Sequence, residues 1–466
     1  MALMRRLAAA CLLGLWAGCS APAPAPVDPI RQEAEFRARR LDAPEVRTYV
    51  GRHLGRTPDA EWDLDALTLV AFFYHPDLDV ARARWAQARA AVDTARTIPN
   101  PSLSLGGERS IPRVPSPWLY GFTLDLPLDF LRKRGYRIDQ AERLSEAARL
   151  ELAEVAWQVR RRVRASFSDV KLAEREVELR ALQERLQAEF TAVFARRLAV
   201  GESSRPDADA ARAGASRARA DRIAAQGRLA EARAALAAAL GVPHAAIEGL
   251  HLSWPGFDDP PSEDALTLAS VRTAGLLNRI DVRRALAEVA AAEAALGLEL
   301  ARRFPDFSVG PGYQWDHGEK KFTLSLSITL PVFDFNAGPI AEAEARRKEA
   351  VSRFVATQAR AIAEMERALV RFRSARAEFD EREGALAAAV SRENSLRRAF
   401  ETGETDRLAL LEARLASISN AASRLEALRR IHEAWSDLEN AVHAPLGSGR
   451  ATFEEPPSPS REGAGR

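Results

Sequence analysis

Residues 321–342 read KFTLSLSITLPVFDFNAGPIAE. From Phe322 onward the chain alternates without a slip. Phe322, Leu324, Leu326, Ile328 and Leu330 fall on one face of an extended strand, and Thr323, Ser325, Ser327 and Thr329 fall on the other. Pro331 donates nothing to a ladder and ends the strand. Gly338-Pro339 then turns the chain, and Pro339 suits the first turn of a helix. Helix-forming residues continue to Thr402, interrupted only by Gly384.

Alternation describes any half-buried strand. Three further features select a strand that crosses a bilayer. The candidate strands run about nine to eleven residues, the length a tilted strand needs. Trp118, Tyr120, Phe122, Tyr313 and Trp315 cluster near strand ends, as in an interfacial girdle. The chain also opens with an export signal: Arg5 and Arg6 precede an apolar run, Leu7 to Trp16, too short to span a membrane. Phe322, Leu324, Leu326, Ile328 and Leu330 are therefore expected to face lipid, with the Thr/Ser row facing a watery lumen.

Ala17-Gly18-Cys19-Ser20 resembles a bacterial lipobox, with Trp16 where a leucine is usual. On this reading residues 1–18 are a lipoprotein signal peptide and Cys19 carries the lipid. The only other cysteine, Cys11, lies in the removed segment, so the mature chain forms no internal disulfide. Residues 19–60 hold the anchor, an Ala/Pro tether (APAPAPVDP, 21–29) and an N-terminal extension. Residues 447–466, rich in Gly, Pro and Ser, are expected to be disordered. A net charge of +2 gives no general attraction to nucleic acid. The run Arg160, Arg161, Arg162, Arg164 reads as a solvated helix face.

The chain contains one unit twice. Asp65-Ala66-Leu67-Thr68-Leu69 recurs at 264–268, Pro101-x-Leu103-Ser104-Leu105-Gly106 aligns with Pro305-x-Phe307-Ser308-Val309-Gly310, and Leu126-Pro127 aligns with Leu330-Pro331. Gly201-Glu202-Ser203-Ser204-Arg205 aligns with Gly403-Glu404-Thr405-Asp406-Arg407, and Pro243 with Pro445. The halves are residues 61–250 and 251–446. Each is expected to hold a helix (65–97 and 264–303), a β-hairpin (102–108 with 118–128; 306–315 with 320–330), a very long helix (137–200 and 340–402), a Gly-Glu turn and a closing helix. A helix of about 64 residues reaches about 96 Å. Val351, Val355, Gln358, Ile362, Met365, Leu369 and Phe372 step by 4 and 3 in turn, a heptad seam with one polar member.

Four strands cannot close a barrel, and an open edge is not tolerated in lipid. Two chains supply eight strands, whose interior side chains fill; three supply twelve and leave a channel. The expected fold is mainly α with a β-barrel portion: duplicated coiled-coil hairpins plus two β-hairpins per chain, assembled as an oligomer.

The order helix, hairpin, Leu-Pro junction, long helix, Gly-Glu turn, helix, present twice behind a lipobox, resembles the TolC-type outer membrane efflux proteins over about residues 60–445. Asn100-Pro101-x-Leu103-Ser104-Leu105-Gly106 and Leu236 to Pro243 (LAAALGVP) are typical of them. The resemblance implies a homotrimer with a twelve-stranded barrel on a twelve-helix periplasmic tunnel. It implies the passive exit duct of a tripartite system, with a periplasmic adaptor protein and a proton-driven inner-membrane pump as partners and small molecules or metal ions as cargo. It places Gly201, Glu202, Ser203 and Arg205, with Gly403, Glu404, Thr405 and Arg407, at an adaptor-contacting tip. It also places an acidic entrance ring on Asp207, Asp209 and Glu412, with Ala409 standing where a further acid is usual. The plainer reading of the two turns is helix connection alone, Gly as C-cap and Ser or Thr as N-cap.

No catalytic constellation appears. The histidines show no ligand spacing with cysteine or carboxylates, no Gly-rich phosphate loop follows a strand, and no cofactor is expected. The rival readings are a periplasmic adaptor protein, which would need a lipoyl-like half-motif and a single helical hairpin, and an envelope enzyme with a coiled-coil domain.

Overall fold

The computed structural model describes residues 26–56, 61–111, 117–128, 132–261 and 267–446. The signal segment with Cys19, the middle of the Pro-rich loop, the start of the second DALTL copy and the C-terminal tail lie outside the described residues. Two helices, α1 (Pro29–Arg37) and α2 (Pro44–Leu54), precede a two-residue strand β1 (Glu61–Trp62). The first half then runs α3 (Leu64–Tyr74), α4 (Pro76–Arg96), β2 (Ser102–Arg109), β3 (Trp118–Leu128), α5 (Lys133–Ala199) and α6 (Arg205–Leu240). After β4 (His251–Leu252) the order repeats: α7 (Leu268–Asn278), α8 (Ile280–Ala301), β5 (Phe307–Asp316), β6 (Glu319–Ile328), α9 (Ala337–Glu401) and α10 (Arg407–Val442).

Three expectations change. The leading helix of each half is two helices. Pro76 lacks the N–H that would continue α3, and His75 caps α4 by accepting from the Asp77 N–H. The equivalent break at Arg279 has no proline; buried Arg279 donates to the Ala441 carbonyl (3.1 Å) and pairs with Asp281 (2.6 Å) and Glu364 (2.8 Å). Second, β6 ends at Ile328, so Leu330 lies past the strand, although it is still exposed. Third, the Arg run is not a solvated face. Arg161 and Arg162 are half exposed, but Arg160 is buried and Arg164 nearly so, at 3.6 and 3.4 Å from the buried Glu439 carboxylate.

The 67 residues of α5 make a rod of about 100 Å. Its middle carries the main core, where Val159, Val163 and Phe167 meet Leu67 and Val70 of α3, Leu236 and Leu240 of α6, and Val46 and Val50 of the N-terminal extension. A second core joins Met365, Leu369 and Phe372 of α9 to Leu428, Ile431, Trp435 and Leu438 of α10. The heptad seam thus divides: its later members are buried within the chain, whereas Val351 and Val355, nearer the sheet, are exposed. Both cores sit midway along the rods, leaving the sheet at one end and the interhelical turns at the other.

Candidate functional site

The sheet has the order β2-β3-β5-β6, antiparallel throughout. Its register sorts the side chains into two faces. Leu105 lies opposite Phe122, Phe122 opposite Tyr313, and Tyr313 opposite Phe322. Leu126, Val309 and Leu326 form a parallel row, and Phe307 faces Ile328. Every apolar member of β6 therefore meets apolar neighbours across the strands, and Tyr120 stacks on Trp315 at 6.2 Å. The opposite face carries Ser104, Thr123, Gly312 and Thr323 in one row and Ser308 with Ser327 in another. This polar face is crowded: a methyl carbon at Gly312 would stand 2.6 Å from Thr323 Oγ1, and one at Gly310 would be 2.9 Å from Asp125 Oδ1. Glycine is needed at these two positions because the neighbouring strands' side chains close over them.

The apolar face of the sheet stands uncovered. Phe322 is 88 % and Leu324 76 % accessible, and neither β2 nor β6 buries any residue. Large contiguous apolar surface of this kind marks contact with lipid or another protein. β2 and β6 each also have one side without a strand partner among the described residues. No helix of the described residues is long and apolar enough to cross a membrane.

The hairpin turn at His317-Gly318 has both residues at positive φ, as a two-residue type I′ turn requires. At the other end, where strands become helices, Arg132 (φ 57°) and Asn336 (φ 59°) turn the chain into α5 and α9. Asn336 Nδ2 donates to the Glu299 carbonyl at 2.7 Å, and Lys133 Nζ bonds Phe304 O and Asp306 Oδ1 at 2.9 and 2.7 Å. These contacts tie both rods to α8 and the residues just after it at the sheet boundary.

The far tip is built twice to one plan. Gly201 and Gly403 both take φ 78°. The Gly201 and Glu202 N–H groups donate to Leu198 O (3.1 Å) and Arg197 O (2.8 Å), and Gly403 and Glu404 do the same with Phe400 O (3.1 Å) and Ala399 O (2.8 Å). This Schellman motif satisfies the last carbonyls of each rod. The N-caps lie one residue later than Ser203 and Thr405: Ser204 shares a capping box with Asp207, and Asp406 accepts from the Ala409 N–H at 2.9 Å. The spacing Ser204-x-x-Asp207 is a sequence signal that identifies the first cap. Arg197 bonds Asp406 (2.8 Å) and Arg407 bonds Glu189 (3.2 Å), clipping the two hairpins together. The Ala409 N–H and then Arg197 hold the Asp406 carboxyl below its ordinary range. Glu202, Arg205 and Glu404 are exposed.

Of the acids near the tip, Asp207 is engaged as a cap and Asp209 pairs with Arg212 at 2.8 Å. Glu412 is exposed, with no partner among the described residues. Within one chain no group of three or more His, Cys, Asp or Glu among the described residues could hold a metal ion.

The chain matches the family described as Outer membrane efflux protein over residues 74–242 and 273–442, one stretch in each half. It is 26 % identical over 299 residues to the cobalt-zinc-cadmium resistance protein CzcC of Cupriavidus metallidurans, covering 63 % of this chain and 69 % of that protein. Among solved structures it is similar to the outer membrane protein VceC of Vibrio cholerae (TM-score 0.66, 20 % identity, 82 % of this chain and 97 % of that one). It is also similar to the open state of the MtrE outer membrane channel of Neisseria gonorrhoeae (TM-score 0.67, 21 % identity, 82 % and 89 %). These structures share its fold.

Proposed function

The chain belongs to the outer membrane efflux protein family, and from that premise we propose that it is the lipid-anchored, trimeric exit duct of a tripartite efflux system. One observation carries this reading: a four-stranded sheet with a continuous, exposed apolar face and two open edges, standing at the end of rods about 100 Å long. Lipid covers the face, and β6 of one copy pairs with β2 of the next. Three copies close twelve strands around an open lumen. Val351 and Val355 pack against the adjacent copy.

Cargo is delivered from an inner-membrane pump, of the proton-driven type, through a periplasmic adaptor protein that grips the tip at Gly201, Glu202, Ser203 and Arg205 and at Gly403, Glu404, Thr405 and Arg407. The exposure of Gly201, Glu202, Arg205, Gly403, Glu404 and Arg407, and the spare charges of Glu202, Arg205 and Glu404, support that role; Ser203 and Thr405 are half-buried. An acidic entrance ring rests chiefly on Glu412, since Asp207 and Asp209 are occupied locally. The name of the Cupriavidus relative favours divalent metal ions among the cargo.

The decisive experiment is mass determination of the detergent-purified protein together with single-channel recording in planar bilayers. Three protomers and discrete conductance are expected; a water-soluble, non-conducting monomer overturns the reading. For the anchor, Cys19→Ala should abolish incorporation of labelled fatty acid, and persistent labelling would remove Cys19 from the scheme.

A further inference from the structure

The middle of the sheet's polar face carries almost no charge. At the end bearing the tight turn it carries Glu108, Asp316, Glu319 and Lys321, with Lys321 bonded to Asp316. At the opposite end Asp306 is neutralised by Lys133. Between them the register leaves serine, threonine, glycine and Pro127, with a single ionisable side chain, Asp125. Asp125 lies opposite Ser102, in the row that holds Gly310 and Ser325. Its carboxylate lies over Gly310, where a methyl group would crowd it at 2.9 Å. It makes no hydrogen bond or ion pair among the described residues. A charge within a wall of small neutral groups, given room by a glycine and left without a counter-ion, acts on what passes rather than on the fold.

We propose that Asp125 is a selectivity-determining residue of the duct: three copies form a ring of carboxylates partway along the barrel that favours positively charged cargo over anions. The inference rests on the trimeric-channel reading and deepens it by naming cations, metal or organic, as the preferred class. Rings of acidic side chains select cations by this means. With the carboxylates about 10 Å from the axis of a twelve-stranded barrel and screened over about 10 Å at 0.1 M salt, the ring shifts the cation-to-anion preference about fourfold.

The test is the reversal potential under a KCl gradient for purified protein in planar bilayers. Asp125→Asn should keep its conductance steps while its K+/Cl− permeability ratio falls about fourfold at 0.1 M salt, and less at 1 M, where screening shortens to about 3 Å. Adding Ser102→Asp, which returns a carboxylate to the same row on the adjacent strand, should restore the ratio. Should the Asn variant fail to insert, Asp125→Ser removes the same charge with a side chain this row already carries. A neutral variant that conducts with an unchanged ratio overturns the role of Asp125 and leaves the duct intact. A wild-type protein that never conducts overturns the duct itself, and this inference with it.

Discussion

Replacing Glu439 with leucine should be among the most destabilising single changes in the helical part of the protein. Its side chain is 3 % exposed and faces Arg160 at 3.6 Å and Arg164 at 3.4 Å, themselves 6 % and 11 % exposed. At an effective dielectric of about 20, each contact is worth about 4–5 kcal/mol of attraction before desolvation is charged against it. Removing only the acid leaves two nearly buried guanidiniums facing each other, an outcome that typically costs about 3–5 kcal/mol. The lower end is expected, because Asp65 still lies within electrostatic reach of both arginines. Urea unfolding of the detergent-solubilised protein, followed by tryptophan fluorescence, suits the measurement, since Trp254 and Trp435 line the same cavity of about 240 Å³. The companion triple variant Arg160→Met, Arg164→Met, Glu439→Leu should recover most of the loss, because it leaves no guanidinium buried without its carboxylate. A Glu439→Leu loss below about 1 kcal/mol would refute the reasoning. It would mean that water in the cavity already solvates the arginines.

On the apolar face, Leu324→Arg should cost about 2–4 kcal/mol of insertion free energy and deplete the protein from the outer membrane fraction, whereas Ser104→Lys on the polar face should insert normally; immunoblots of fractionated membranes distinguish them. Asp406→Ala removes both an N-cap and the Arg197 clip, so hydrogen exchange at residues 407–410 should quicken by roughly fivefold for about 1 kcal/mol lost. Because the folded Asp406 pKa is depressed, this contribution is present above its unfolded pKa and fades as pH falls through the lowered folded value. Burial, partly offset by its bond to the Phe257 carbonyl, lowers His432 to about 4. The unfolded chain therefore binds this proton first, and stability should fall by roughly 3 kcal/mol as pH drops from about 6.5 to about 4. His432→Gln should flatten that part of the pH profile in thermal unfolding.

Much of this architecture is legible because it follows short-range periodicity. Alternation through residues 322–328 defines both faces of β6, and the duplicated landmarks place the two hairpins and rods within a few residues. What periodicity does not reveal is which side of a helix meets which neighbour. Arg160 and Arg164 look solvated in a run of arginines. Yet at i and i+4 they share a stripe with Trp157 and Phe167, and that stripe faces α10 and Glu439. The positive φ of Arg132 is equally silent, since arginine carries no local preference for it, whereas asparagine, as at 336, does visit that region. At the tip the turn glycines are plain, but the caps fall on Ser204 and Asp406 because two residues, not one, are needed to leave the left-handed glycine before the next helix begins.

The two halves agree where geometry is shared and diverge where a side chain has to come from elsewhere. His75 and Arg279 occupy equivalent breaks, each followed two residues later by an aspartate, Asp77 or Asp281. Both breaks lie against the end of a closing helix, whose last carbonyls lack intrahelical donors. In the second half Arg279 supplies the donor itself, to Ala441 O. His75 is too short to do so, and in the first half the guanidinium comes from Arg39, which bonds Tyr74 O (3.0 Å) and Gly241 O (2.7 Å) together. Arg39 belongs to the N-terminal extension, which has no α-helical counterpart among the described residues ahead of α7. The extension is thus more than a tether: Val46 and Val50 fill the first core, and Arg39 completes a junction that the duplicated unit otherwise closes by itself. The side chain at position 279 closes the second junction from within its own half, whereas the first is closed by Arg39 from outside the repeat.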